Sequence, residues 1–447
     1  MKGESSLLQI IESAPETKCV ELGSGALDRT PAVFSRFFPK HSALIIADPR
    51  TFAVAGHAVL AGLRHVTRDL DSLIFSDPSF YAEHRFVCEI EAKLRERPDA
   101  IPVAVGSGTI NDVTKLAAHR TGRRYMAVAT AASMDGYTAF GASITHQGSK
   151  QTFSCAAPVA VVADMEILRA APAELTAAGY ADLLAKVTAG ADWLLADALA
   201  VEAVHAQAWE IAQGNLRSAV NDPAGVKRRD STAIRHLTEG LILSGFAMQV
   251  AGSSRPASGA EHQFSHLWDM QHHTHAGAMP LHGFKVAIGT VAVAALYEYL
   301  LEQPLEELDV NACCEHWPPW PALERSVRGL FGDSDLAAVA LQETRAKYVD
   351  DAALRDQLLR LRRVWPELRT RLRKQLLPVS ELKKMLKAAG APSEPEQISL
   401  SPERLLDSFR LAYFIRRRFT VLDLAVRTGL LDKALRSWAL HQSKTST

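Results

Sequence analysis

Residues 101–115, IPVAVGSGTINDVTK, constrain the fold more than any other stretch of the chain. A short, unbroken apolar run passes through Gly-Ser-Gly straight into a helical pattern that Gly122 closes. An apolar run of this length, bounded by glycine, reads as a strand buried on both faces. Two similar runs flank it, SALIIA at 42–47 and MAVAT at 126–130, and a helix-like stretch at 51–63 follows the first. Strand, helix, strand in this order predicts βαβ units and a mostly parallel, Rossmann-like sheet. ASITHQGSKQTFSC (142–155) reads as a hairpin turning near Gly148, and PVAVVADMEIL (158–168) as one more strand.

From about Ala171 the texture changes. Leu, Ala, Glu and Arg recur at helical spacing almost to the end, and Pro172, Pro304, Pro366, Pro378 and Pro402 stand at expected helix boundaries. Ser401-Pro402-Glu403 reads as an N-cap with proline in the first helical position. The chain therefore divides near 172 into an α/β nucleotide-type domain (1–172) and an all-α domain (173–447). The most apolar segment, VAIGTVAVAALYEYLL (286–301), contains Glu298 and falls short of the roughly 20 residues a membrane span needs, so a buried helix is expected.

Composition narrows the function classes. Lys plus Arg and Asp plus Glu both number 50, which points to no global polyanion partner such as nucleic acid. The basic run RLRRVWPELRTRLRKQL (360–376) reads as a solvated helix face, with a polyanion or subunit contact as the alternative. The five cysteines form no CxxC pair, which favours a reducing, cytoplasmic compartment over a disulfide framework. The first residues are too polar and acidic for a signal peptide.

Chemistry concentrates in three places. The Gly106-Ser107-Gly108 turn opens a helix whose free N–H groups and partial positive charge suit a pyrophosphate; a plain tight turn is the alternative. Asp48, at the end of the 42–47 strand, could bind ribose hydroxyls and favour NAD, Arg50 could take the extra phosphate of NADP, and Asp48 could equally be a turn residue before Pro49. Residues 258–289 hold His262, His266, His272, His273, His275 and His282, six of the 16 histidines. Neutral imidazole ligates zinc and similar metals, and His262 and His266 share one helix face. His272, His273 and His275 read as a polar loop, while His282 starts an apolar helix. Asp182 offers a carboxylate, or simply a helix N-terminal charge.

Taken together, GSGTINDVTK, TAASMDGYTAFGASI, GYADLLAK, SGAEHQFSH and LHGFKVAIGT, in this order, resemble the iron-containing alcohol dehydrogenase and glycerol dehydrogenase superfamily, and within it the sn-glycerol-1-phosphate dehydrogenases, bacterial branch included. The resemblance covers roughly residues 15–300 and returns at 419–423. It implies a dehydroquinate synthase-like, glycerol dehydrogenase-like fold and one divalent metal (zinc, nickel or iron) on Asp182, His262 and His282. It implies NAD or NADP bound at Gly106, Ser107, Gly108, Thr109, Asp112, Thr130 and Ser133 as well as Asp48, with Asp135, Lys186 and His266 near the substrate. The implied reaction is reversible hydride transfer between NAD(P)H and dihydroxyacetone phosphate, and homo-oligomers are expected. Lys186 could hold the substrate phosphate, helped by Arg255 or Lys285, or could be a surface lysine. Glycerol or another polyol as substrate, a dehydroquinate synthase-like lyase, and a non-catalytic metal- or nucleotide-binding module are the competing readings.

Overall fold

A computed structural model describes residues 2–77, 80–146, 149–332 and 334–445. Among the described residues eight strands occur: β1 (Cys19–Gly23), β2 (Ser42–Ala47), β3 (Leu70–Ile74), β4 (Ala100–Gly106), β5 (Met126–Ala129), β6 (Ala142–His146), β7 (Ser149–Phe153) and β8 (Ala160–Asp164). Six form one sheet in the order β1-β8-β5-β4-β2-β3, every pair parallel. The inner strands β2, β4, β5 and β8 are buried along their whole length, as runs covered on both faces must be. Ile45, Val103, Val105, Val128 and Val162 belong to a core with Phe34, Phe38 and Leu63. β6 and β7 pair antiparallel, as expected; the turn at Gly148 lies outside the described residues.

The helices that matter for the site are α1 (Gly108–Arg120), α2 (Ala173–Leu184), α3 (Lys186–Ala198), α4 (Ser231–Ala251), α5 (Ala260–Met270), α6 (His282–Leu301), α7 (Asp351–Gln375) and α8 (Val421–Arg427). Beyond Asp164 the described chain contains helices and no strand. Helix α6 has the length and composition of a membrane span, but 72% of its apolar window is buried inside the protein, as a core helix would be.

Backbone contacts group the chain into two compact units, Met1–Leu184 with Ala206–Ala257 and Ala388–Ala391, and Ala185–His205 with Ser258–Lys387 and Pro392–Thr447. The first holds the sheet, α1, α2 and α4. The second is helical and holds α3 and α5 to α8. Within it, α5 and α6 approach closely, because Gly289 has no side chain: a Cβ there would lie 2.5 Å from the Glu261 carbonyl oxygen.

Two local expectations need correction. The 51–63 helix is three pieces, a short turn Pro49–Thr51, a π-helical turn Phe52–Gly56 and a helix His57–Leu63. The Phe52 ring fills the space beside Gly56, where a Cβ would meet it at 2.3 Å. Pro366 does not end a helix but sits inside α7. The buried stripe Leu354, Leu358, Leu361, Trp365, Leu368 and Leu372 runs through it, and this packing outweighs one lost backbone bond. The arginines of the basic run are partly spent inside the unit. Arg360 donates to the Ala198 carbonyl at 2.6 Å, Arg362 to the Glu306 carbonyl at 3.3 Å, and Arg373 pairs with Glu302 at 2.8 Å.

Candidate functional site

The carboxyl ends of adjacent parallel strands gather one set of expected residues, the position where open α/β sheets bind ligands. Asp48 follows β2, the glycine turn follows β4, and Thr130 follows β5. Ser107 occupies the N-cap of α1 without capping it through its side chain, so the helix start is not closed by a side-chain acceptor. Gly106 is needed for packing: a Cβ there would lie 2.5 Å from Cβ of Ile110. Ser107, Gly108 and Thr109 are half-buried. The Thr130 N–H donates to the Gly106 carbonyl at 3.2 Å, and Thr130 and Ser133 are buried. Asp112 accepts from the Ser143 N–H at 3.2 Å; burial pushes its carboxyl above the usual range, against the pull of Lys115. Asp48 caps the turn after β2, its Oδ1 accepting from Arg50 N–H at 2.8 Å and Thr51 N–H at 2.9 Å. The turn reading of Asp48 therefore describes its local role, and both bonds fall on one carboxylate oxygen.

The segment carrying Asp135 is held from several sides. The fully buried Lys115, last residue of the GSGTINDVTK motif, donates to the carbonyls of Gly136 (2.8 Å), Ala139 (2.9 Å) and Gly141 (3.0 Å). The Tyr137 hydroxyl bridges the carbonyls of Gly106 (3.1 Å) and Ala131 (2.9 Å), tying this segment to the glycine turn. Ser244 of α4 donates to the Asp135 carboxylate at 2.8 Å. Helix α2 comes in at Gly179, where a Cβ would stand 1.9 Å from the Ala132 carbonyl oxygen. That approach lets Asp182 Oδ2 accept from the Asp135 N–H at 3.0 Å. Lys115, Tyr137 and Ser244 were not among the expected site residues. For the first, the available signal was its place at the end of the GSGTINDVTK motif.

The histidine window splits. His262 and His266 lie on α5, one turn apart, and His282 is the first residue of α6. The His262 and His282 ring centres are 5.3 Å apart, and His266 lies 6.4 Å from each. The His262 Nδ1 meets Glu261 Oε1 at 2.8 Å, and the His282 Nδ1 faces the Ser265 hydroxyl at 3.3 Å. Both rings thus meet a protein group through Nδ1. Asp182, His262 and His282 each present one ligand atom, and the three atoms lie within 4.8 Å of one another. One carboxylate and two imidazoles at such spacing fit a zinc-, nickel- or iron-type ion.

The polar-loop histidines behave differently. His273 is buried, its Nε2 against the Ile398 carbonyl at 2.7 Å and its Nδ1 against Arg404 at 2.8 Å. His275 meets the Ser399 hydroxyl at 2.9 Å, and His272 is exposed. Lys186 is fully buried at the start of α3, so the surface-lysine alternative is set aside. Lys285 is committed to Asp269 (2.5 Å) and to the Pro280 carbonyl (3.0 Å), which makes it an anchor of the 271–281 loop. Arg255 is buried as well.

Residues near the histidines were also missed. The buried Asp192 accepts from the N–H of Ala260 (2.7 Å), the N–H of Val421 (2.8 Å) and the Tyr297 hydroxyl (2.6 Å), fixing the starts of α5 and α8 together. Glu261, fully buried, accepts from Thr188 and Gly259 besides His262. Burial alone would raise its carboxyl, but the His262 ring and the Gly259 amide hold it below the usual range.

Known proteins resemble this chain along much of its length. The family described as iron-containing alcohol dehydrogenase matches residues 21–172. A protein of Halalkalibacterium halodurans named glycerol-1-phosphate dehydrogenase (NAD(P)+) is 34% identical over 290 residues, 64% of this chain and 72% of that protein. One of Geobacillus stearothermophilus with the same name is 30% identical over 385 residues, 85% of each. Among solved structures, a probable glycerol dehydrogenase from Sinorhizobium meliloti superposes with a TM-score of 0.61 at 17% identity, over 94% of this chain and 98% of that one. At that identity the likeness shows the fold. The chain belongs to the glycerol-1-phosphate dehydrogenase family of the iron-containing alcohol dehydrogenases.

Proposed function

We propose that the protein interconverts dihydroxyacetone phosphate and sn-glycerol 1-phosphate with NAD(P)H, using one divalent cation held by Asp182, His262 and His282. The observation that carries this reading is the three-ligand cluster, with two imidazoles whose Nδ1 atoms already face protein partners. Lewis-acid polarisation of the oxygen at the reacting carbon is what a divalent cation supplies at such a site. Hydride exchange belongs to the nicotinamide.

The chain's own residues bind and orient. The division of labour follows the sequence division, residues 1–172 for the dinucleotide and 173–447 for metal and substrate. The amides of Ser107, Gly108 and Thr109, with the dipole of α1, hold the pyrophosphate. Asp48 offers its second carboxylate oxygen to the ribose, and Asp112, Thr130 and Ser133 line the cofactor path. Asp135, kept in place by Ser244, and His266 contact the substrate. Lys186 supplies charge to the substrate phosphate. Orientation of the two reactants accounts for much of the remaining acceleration. The working form is a cytoplasmic homo-oligomer.

The test is NADH and NADPH oxidation by metal-stripped protein with zinc, nickel or iron restored, on dihydroxyacetone phosphate against dihydroxyacetone. Metal-dependent turnover of the phosphorylated compound alone is expected. Equal turnover of dihydroxyacetone would move the protein to a glycerol dehydrogenase activity, and turnover of neither, with metal bound, would overturn the oxidoreductase reading for these substrates. Lys186→Ala should raise KM for the phosphorylated substrate by about 10–100-fold, the worth of one charge-assisted bond. An equal rise for an unphosphorylated substrate would remove Lys186 from the phosphate.

A further inference from the structure

We propose that Glu261 is the positioning residue of the metal centre: its carboxylate fixes His262 as the Nδ1–H tautomer and aims Nε2 at the cation. The inference rests on the metal reading above and extends it to a residue that touches neither metal nor substrate.

Three features carry it. Glu261 is fully buried, and both its oxygens are engaged: Oε1 accepts from His262 Nδ1 at 2.8 Å and from the Gly259 N–H at 2.5 Å, and Oε2 accepts from the Thr188 hydroxyl at 3.0 Å. A carboxylate held at both ends is kept from turning away, and a carboxylate oxygen against Nδ1 favours the ring proton on that nitrogen. The backbone that places it is equally constrained. Gly259 has no room for a side chain, since a Cβ would lie 2.6 Å from Asp192 Oδ2 and 2.9 Å from Glu261 Oε2. Second, the other histidine of the pair meets the neutral Ser265 hydroxyl through its Nδ1, at 3.3 Å rather than 2.8 Å. At Nδ1, therefore, His262 faces a buried carboxylate where His282 faces a hydroxyl. Third, a buried carboxylate is costly unless balanced. A cation on Nε2 of the same imidazole gives that charge a partner through the ring, the arrangement by which outer carboxylates raise the basicity of metal-bound histidines.

The experiment is a zinc affinity measurement on the stripped full-length protein, by competition with a fluorescent zinc chelator, together with the melting temperature of the metal-free form. Glu261→Gln keeps the shape and the acceptor for His262 but removes the charge. It should weaken zinc binding by about 10–100-fold, the usual effect of losing such an outer partner, with metal-free melting unchanged. Thr188→Val, which frees one carboxylate oxygen only, should weaken binding by a smaller factor and carries the test if Glu261→Gln does not fold. His262→Ala is the control. If it abolishes zinc binding while both other variants bind like the parent, Glu261 is overturned and the metal reading stands. If His262→Ala binds zinc like the parent, both fall. A weakening matched by an equal loss of metal-free stability would make Glu261 a packing residue and overturn its positioning role.

Discussion

His262 and His282 on one side, and His273 on the other, come from the single stretch 262–282, yet the protein uses them differently. His273 has both ring nitrogens spent on protein groups, the Ile398 carbonyl and Arg404. His262 meets Glu261 and His282 faces Ser265, each with its Nδ1, and both rings also bring a ligand atom to the cluster with Asp182. The lesson is that a histidine's role is decided by what its nitrogens meet in the fold. The same question applies to lysine: Lys285 gives two of its three N–H donors to Asp269 and the Pro280 carbonyl.

The largest effect that sharpens this contrast is loss of a ligand histidine. His262→Ala or His282→Ala should remove bound metal and cut turnover at least about a thousandfold, since Lewis-acid stabilisation is worth several kcal/mol and each 1.4 kcal/mol is tenfold. Metal content by elemental analysis and the rate with dihydroxyacetone phosphate are the measurements. A variant with normal metal and normal rate would break the contrast outright. Lys285→Met comes next. It leaves the buried Asp269 without its ammonium, and removing one partner of a buried pair costs about 3–5 kcal/mol. Urea unfolding should show that loss, while KM for the phosphorylated substrate in the folded fraction stays near the parent value. A large KM change with intact stability would return Lys285 to the substrate.

Much of this was legible in the residues, and what was not has physical reasons. The four inner strands advertise themselves because burial on both faces demands unbroken apolar runs such as SALIIA and IPVAV. The two strands that escaped notice, CVELG and LDSLI, are the edges of the sheet, half-exposed and polar enough to look like loop. Pro366 misled because a proline signals a break locally, while the leucine stripe that carries α7 through it is a tertiary fact. The proposed ligands Asp182, His262 and His282 came together as a set only through the resemblance; the residues alone left Asp182 open between a ligand carboxylate and a helix-end charge. Glu261 stayed hidden because a glutamate in the first turn of a helix is expected on dipole grounds whatever else it does. Its bond to the next residue's ring exists only because Gly259 and Thr188 turn it back. His273 was read as part of a polar loop, and nothing local foretold that residues 398–404 would cover it.

The smallest effect tests that covered histidine. Burial, first, and then the Arg404 guanidinium hold the His273 ring below its ordinary value of 6.5, against the Ile398 carbonyl, which favours the charged form. The native state thus keeps His273 neutral while the unfolded chain takes up a proton near pH 6.5. Where the unfolded state binds more protons, stability rises with pH. The contribution of His273 is therefore fully present above pH 6.5 and is lost as pH falls below it toward the native value. His273→Ala should cost about 1–3 kcal/mol at pH 8, the price of leaving Arg404 and the Ile398 carbonyl without their partner. The cost should shrink as unfolding is repeated at pH 7, 6 and 5.5, because only the parent loses the histidine's contribution on the way down. Metal content should match the parent throughout. A cost independent of pH would mean that folding leaves the ring's proton affinity unshifted, and a loss of bound metal would erase the distinction between the two sets of histidines.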